Sequence, residues 1–188
     1  MKLYNNITYK QVADLIKNYH IVALFQGRSE AGPRALGNRS LLFNPISSIS
    51  TTYVNTTKGR EWYRPVAGSI LLEHFEDWFD TYGIKESPFM SYAFEVKDDK
   101  KNLAPSIVHF DGTCRIQTVT KEQNYHYYNL IKEFYKCTGV PILGNTSFNL
   151  AGEPLVETLK EALETLQKSK IEYLYLPEQK KIVYARNV

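Results

Sequence analysis

Helix-patterned and strand-patterned segments alternate along the chain, two neighbouring strands read as an antiparallel hairpin, and 188 residues suit one compact domain. These observations predict an α/β fold: a mixed sheet with packed helices, in a single domain over residues 1–188. Thr8 with Gln11 three residues on is a capping box, so a helix starts there and runs through Val12, Leu15 and Ile16. Ile21–Phe25 is a short apolar run, read as a buried strand, and Leu41–Phe43 resumes as another. Ser47 to Thr57 reads as a polar helix, Ser69–Leu72 as a strand, and Phe75, Trp78 and Phe79 fall at helical spacing. Tyr92–Val96 alternates as a strand does. Ile107–Phe110 and Ile116–Val119 flank the turn signal Asp111-Gly112-Thr113, which is the predicted hairpin. Tyr125 to Cys137 carries Tyr128, Ile131, Phe134 and Tyr135 on one helical face, with Gly139 as its stop. Val140–Leu143 is a strand, Leu159 to Lys168 a helix, and Tyr173–Leu176 and Ile182–Tyr184 are closing strands. The hairpin makes the sheet mixed rather than purely parallel.

Composition narrows the function classes. Hydrophobic residues make up 43% and charged residues 23%, as in an ordinary soluble globular protein. A net charge of +3, from 23 basic and 20 acidic residues, gives little support for a nucleic-acid or membrane partner. Cys114 and Cys137 stand far apart in no metal-ligand spacing, so they read as reduced thiols and no metal site is assigned. No segment approaches the roughly 18 apolar residues of a membrane span. The polar start MKLYNNITYKQ is no signal peptide, and a cytoplasmic location is expected.

Four polar constellations stand out. The loop from Gln26 to Ser40 sets Arg28, Arg34 and Arg39 among Gly27, Gly32 and Gly37; glycines admit close backbone approach, and arginines offer forked donors to phosphate or carboxylate oxygens. It follows a buried strand, a common place for ligand loops. The alternative is that these arginines pair with Glu30 and other acids to hold the loop. Lys58-Gly-Arg60-Glu-Trp-Tyr-Arg64 is either a nucleotide-stacking, phosphate-neutralising segment or a solvated basic turn anchored by Trp62 and Tyr63. Thr113, Arg115 and Gln117 share one strand face, either lining a site or facing solvent, and His109 nearby reads as a structural histidine. Asn145, Ser147 and Asn149 follow the strand Val140–Leu143 and either hold amide or phosphate groups or make ordinary turns and caps.

The segments GRSEAGPRALGNRS, KGREWYRP, SPFM, HFDGTCRIQTV and GNTSFNLAGEPLV occur in this order over about Val22 to Leu176. In this the chain resembles the C-terminal domain of the O-carbamoyltransferases that act on nodulation factors and on antibiotics. The resemblance implies a YrdC-like twisted mixed sheet with a basic concave face. It implies a domain that takes carbamoyl phosphate and ATP with Mg²⁺ and forms carbamoyl-adenylate. A separate Kae1-like metal-binding domain or subunit, absent from these 188 residues, then passes the carbamoyl group to a hydroxyl. This chain is therefore expected to be a split subunit or an excised part of a larger enzyme. Carried over residue by residue, Arg34, Lys58 and Arg115 take the catalytic roles. Arg28, Arg39, Arg60, Arg64, Thr113, Gln117, Asn145, Ser147 and Asn149 contact substrates. The chain departs from the family at Arg64-Pro-Val-Ala-Gly68, where Arg-Pro-Phe-Ala-Pro is common; a rigid proline is lost. Two other functions compete: a non-catalytic nucleotide-binding or partner-stabilising module, and a tRNA-modification protein like the threonylcarbamoyl-adenylate synthases.

Overall fold

The structure, a computed structural model, describes residues 1–185, so the last three residues of the predicted domain span lie outside the described residues. In chain order the elements are β1 (Lys2–Tyr4), α1 (Tyr9–Lys17), β2 (Val22–Phe25), β3 (Arg39–Phe43), α2 (Ser50–Lys58), β4 (Ala67–Leu71), α3 (Phe75–Trp78) and β5 (Phe79–Asp80). They continue with β6 (Ala93–Val96), α4 (Asp98–Lys101), β7 (Thr113–Val119), α5 (Tyr125–Thr138), β8 (Ile142–Ser147), α6 (Leu159–Lys168), β9 (Tyr173–Leu176) and β10 (Lys181–Tyr184). All ten strands join one mixed sheet in the order β1-β10-β9-β2-β3-β8-β4-β7-β6-β5. The β2–β9 and β4–β7 pairs are parallel and the rest antiparallel.

Local chemistry sets the helix ends. Thr8 and Gln11 close the capping box that starts α1, and Thr158 and Glu161 close another at α6. Gly139 ends α5 in the left-handed conformation, at φ 76°. α1 and α5 pack on each other and onto the central strands through Val12, Ile16, Leu130, Ile131 and Phe134, all fully buried.

The predicted hairpin does not form. Pro105–Ile107 is a single 3₁₀ turn, and residues 108–112 are a loop in which the Asp111 carboxylate accepts from the Thr113 amide and hydroxyl. Ile107 is a core anchor at 1% exposure, not a strand residue, and β7 pairs instead with β4 and β6. An apolar run next to a turn signal looks the same whether it joins a ladder or plugs the core beneath one. The sheet is mixed for a different reason: β8 enters antiparallel between β3 and β4. β8 also runs further than its apolar part, so Gly144, Asn145, Thr146 and Ser147 form ladder pairs with β3 and do not open a loop. β1, β5 and α4 lacked an apolar period, and sequence patterning passed over them.

Gly144 marks the tightest contact in the sheet. A Cβ there meets the ring of its cross-strand partner Phe43 at 2.2 Å, and Phe43 is 2% exposed with no room to turn. Gly144→Ala is expected to destabilise the protein by about 1–3 kcal/mol through overpacking, lowering the melting temperature by several degrees in a thermal melt.

Candidate functional site

The loop between β2 and β3 is pinned from within. One oxygen of Glu30 accepts from the Leu36, Asn38 and Arg39 amides at 2.7, 2.8 and 3.3 Å, and Gln26 Nε2 donates to the Gly37 carbonyl at 2.6 Å. Gly37 passes at φ 100° against the Tyr127 ring of α5, where a Cβ has no space. Arg39 is the second pin. Its guanidinium donates to the carbonyls of Gln26, Asn38, Gly27 and Glu157 and stacks 3.6 Å from the Phe25 ring centroid. It clamps the loop to the segment before α6, and burial lowers its pKa despite Glu30 and two further carboxylates.

The pinned loop delivers Arg34 to a small cavity of about 100 Å³. Arg60 reaches it from the turn after α2, Arg115 from β7, and Asn145, Thr146 and Ser147 from β8; Pro33, Ala35, Pro65, Val66, Ala67 and Met90 complete the wall. Arg60 is held by Asn55, whose side-chain oxygen accepts from Arg60 Nε at 2.6 Å while its amide donates to the Trp62 and Arg64 carbonyls. Buried guanidine nitrogens of Arg60 (Nη2) and Arg115 (Nε) have no protein partner. Burial lowers the pKa of both, and their neighbours push the same way: Arg34 acts on Arg115, and Arg64 and Arg115 act on Arg60, with Glu61 opposing. No carboxylate lines the cavity. Such a set of converging cations lacks only an anion.

Lys58 is outside this cavity and lines a separate pocket of about 810 Å³ with Gly59, Leu150, Ala151 and Lys168; Ser147 links it to the cavity wall. Its ammonium donates to the Ser147 carbonyl, to Ser147 Oγ at 3.3 Å and to Asn149 Oδ1 at 2.9 Å. Burial, helped by Arg60, pushes its pKa down to about 7. Asn149 faces Lys58 and the Glu153 carbonyl, outside the arginine cavity.

The remaining candidates are placed elsewhere. Arg28 is exposed and outside the cavity. Arg64 is exposed and paired with Glu61 at 2.5 Å. Thr113 bonds Asp111 and His109. Gln117 donates to the Leu36 carbonyl at 2.9 Å and lines a neighbouring cleft. That cleft, about 680 Å³, has Gln26, Asn38, Asn124, Phe89 and Tyr125 in its walls together with the carboxylates of Glu30, Glu86 and Glu178. A second one, about 740 Å³, connects the two: it shares Glu30, Leu36 and Phe89 with the first and Pro33, Arg34 and Met90 with the arginine cavity. The three spaces thus lie next to one another, cationic at the small end and lined by amides, aromatics and the carboxylates Glu30, Glu86 and Glu178 at the broad end. Glu30 holds the loop, as the alternative reading of its sequence has it, but through the Leu36, Asn38 and Arg39 amides and not by pairing with the arginines; Asn55, Ser69, Phe89 and Met90 have no role assigned from sequence, and only the SPFM segment hints at the last two. Among the described residues no group of three or more His, Cys, Asp or Glu is placed to hold a metal ion.

Residues 13–181 match the family model described as the carbamoyltransferase C-terminus. This chain belongs to the carbamoyltransferase C-terminal family. The domain is 43% identical over 157 residues to the nodulation protein NolNO of Sinorhizobium fredii (strain NBRC 101917 / NGR234), covering 82% of this chain and 23% of NolNO. It spans about a quarter of that relative's length. Two solved structures share its YrdC-like fold. One is full-length HypF in a phosphate- and nucleotide-bound form, with a TM-score of 0.65 at 21% identity, covering 92% of this chain and 25% of HypF. The other is P. abyssi Sua5 complexed with L-threonine, with a TM-score of 0.61 at 13% identity, covering 90% of this chain and 46% of Sua5. The carbamoyltransferase domain therefore keeps this fold, and it contains no helix long and apolar enough to cross a membrane among the described residues.

The buried lysine gives a pH signature. A lysine depressed in the folded state binds fewer protons than in the unfolded chain between its two pKa values, so its penalty is full below pH 7 and shrinks as pH rises toward its ordinary value of 10.5. Lys58→Met is expected to gain melting temperature relative to wild type near neutral pH, with the advantage narrowing between pH 7 and 10 in paired melts.

Proposed function

We propose that this domain binds carbamoyl phosphate and MgATP in the arginine-ended groove, where water cleaves carbamoyl phosphate to carbamate and phosphate and a carbamate oxygen then attacks the α-phosphorus of ATP, forming carbamoyl-adenylate as pyrophosphate leaves. The carbamoyl group then passes to a hydroxyl acceptor on a separate Kae1-like metal-binding domain, in the cytoplasm. The observation that carries this reading is the convergence of Arg34, Arg60 and Arg115 on a cavity without a carboxylate. Both substrates bring dense negative charge, and transfer at phosphorus is governed by positioning and charge neutralisation. The three guanidinium groups hold and neutralise phosphoryl oxygens. Mg²⁺, entering with the triphosphate, screens the remaining charge. Lys58, whose ammonium is spent on the Ser147 carbonyl, Ser147 Oγ and Asn149 Oδ1, acts from outside the cavity by holding Ser147 in its wall. The small cationic end holds a carbamate, which is short-lived in water, and the broad end, whose Glu30, Glu86 and Glu178 repel phosphoryl groups, accommodates the uncharged nucleoside.

The test is pyrophosphate release by the purified chain with ATP, Mg²⁺ and carbamoyl phosphate. Release is expected to require carbamoyl phosphate, and Arg34→Ala is expected to abolish it with little change in melting temperature, because Arg34 makes only one weak bond, at 3.4 Å to the Pro33 carbonyl. Release that requires threonine and bicarbonate instead assigns the domain to tRNA modification, and nucleotide binding without turnover assigns it to a binding module.

A further inference from the structure

We infer that Asn145 Oδ1 is the specificity element of the cavity: it accepts a hydrogen bond from the carbamoyl –NH₂ and so selects carbamoyl phosphates over isosteric acyl phosphates. The inference rests on the reading of the groove as a carbamoyl-phosphate site. Asn145 is 1% exposed on the central strand β8 and lines the arginine cavity. Its amide orientation is fixed by its neighbours. Nδ2 donates to the Ala35 carbonyl at 3.1 Å, a group that can only accept. Nδ2 also donates to Ser69 Oγ at 3.0 Å, because the Ser69 proton is spent on Gln117 Oε1 at 2.8 Å. Gln117 is fixed in turn by its own donation to the Leu36 carbonyl. The chain of donors runs one way through three buried side chains. A flipped Asn145 would set its oxygen against the Ala35 oxygen.

Asn145 Oδ1 is consequently left as a buried acceptor without a partner in the protein. Among residues lining the cavity, the unpartnered buried polar atoms are two donors, on Arg60 and Arg115, and this one acceptor. That pattern is the complement of carbamoyl phosphate, which presents several acceptor oxygens and one N–H donor. Acetyl phosphate has nearly the same shape and the same oxygens but carries a methyl group in place of the amine. It leaves Oδ1 buried and unsatisfied, and that mismatch is costly.

Two stable phosphonates isolate the difference: phosphonoacetamide, which keeps the –NH₂, and acetonylphosphonate, which has a methyl group there. Their affinities for the purified chain are measured by titration calorimetry at mildly alkaline pH, where both are dianions. Phosphonoacetamide is expected to bind the wild type tighter by about tenfold or more, the effect of one unmet buried acceptor. In Asn145→Ala the ratio is expected to collapse toward one. If that variant lacks the wild-type melting transition, Asn145→Leu, which keeps the branched shape of the side chain and removes Oδ1, takes its place with the same expected narrowing. Equal wild-type affinities, or a ratio unchanged by these substitutions, overturn the specificity role while leaving the anion site standing. Failure of both phosphonates to bind overturns the site itself and the inference with it.

Discussion

Three guanidinium groups drawn into one small cavity with no carboxylate among them repel one another, and much of the surrounding structure holds them there. Left alone, Arg34, Arg60 and Arg115 would turn toward water or toward acids. Instead Arg60 is tied at Nε by Asn55, Arg115 rises from a central strand, and Arg34 sits on a loop pinned by Glu30 and Arg39. The cost of gathering like charges is offset elsewhere, by a core running through α1, α5 and the central strands. A bound anion relieves the repulsion, so ligand binding and local stability are the same quantity seen from two sides.

The groove is graded. Its cationic end is small, its far end is broad and carries Glu30, Glu86 and Glu178 among amides and aromatics, and the loop that bears both Glu30 and Arg34 borders each. Charge therefore sorts the parts of a ligand before any single contact does: the carboxylates turn phosphoryl groups away toward the guanidinium end and leave the broad end to an uncharged ring. The buried relay from Gln117 through Ser69 to Asn145 adds a directional test at the charged end, where electrostatics alone would accept almost any small anion.

Much of the fold is legible in the sequence because its signals are local: a capping box at Thr8, a glycine stop at Gly139, apolar runs at Val22 and Leu174. The hairpin failed because an apolar run beside a turn carries no mark of which ladder, if any, it joins; Ile107 plugs the core instead. The site divides in the same way. Arg34 and Arg39 stand five residues apart in one motif and look equivalent in sequence, yet Arg39 spends its donors on four carbonyls and a ring while Arg34 stays nearly free at the cavity. Arg28, Arg64 and Thr113 carry the right chemistry but point to solvent, to Glu61 and to Asp111. Composition announces an anion site; only the path of the backbone decides which cations reach it.

The central claim is that Arg34, Arg60 and Arg115 form one anion site. The most direct measurement is the melting temperature as inorganic pyrophosphate is added. A saturable rise is expected in the wild type, kept in the exposed Lys85→Gln variant and lost in both Arg60→Gln and Arg115→Gln. No rise in the wild type, or an equal rise in all four proteins, would contradict it.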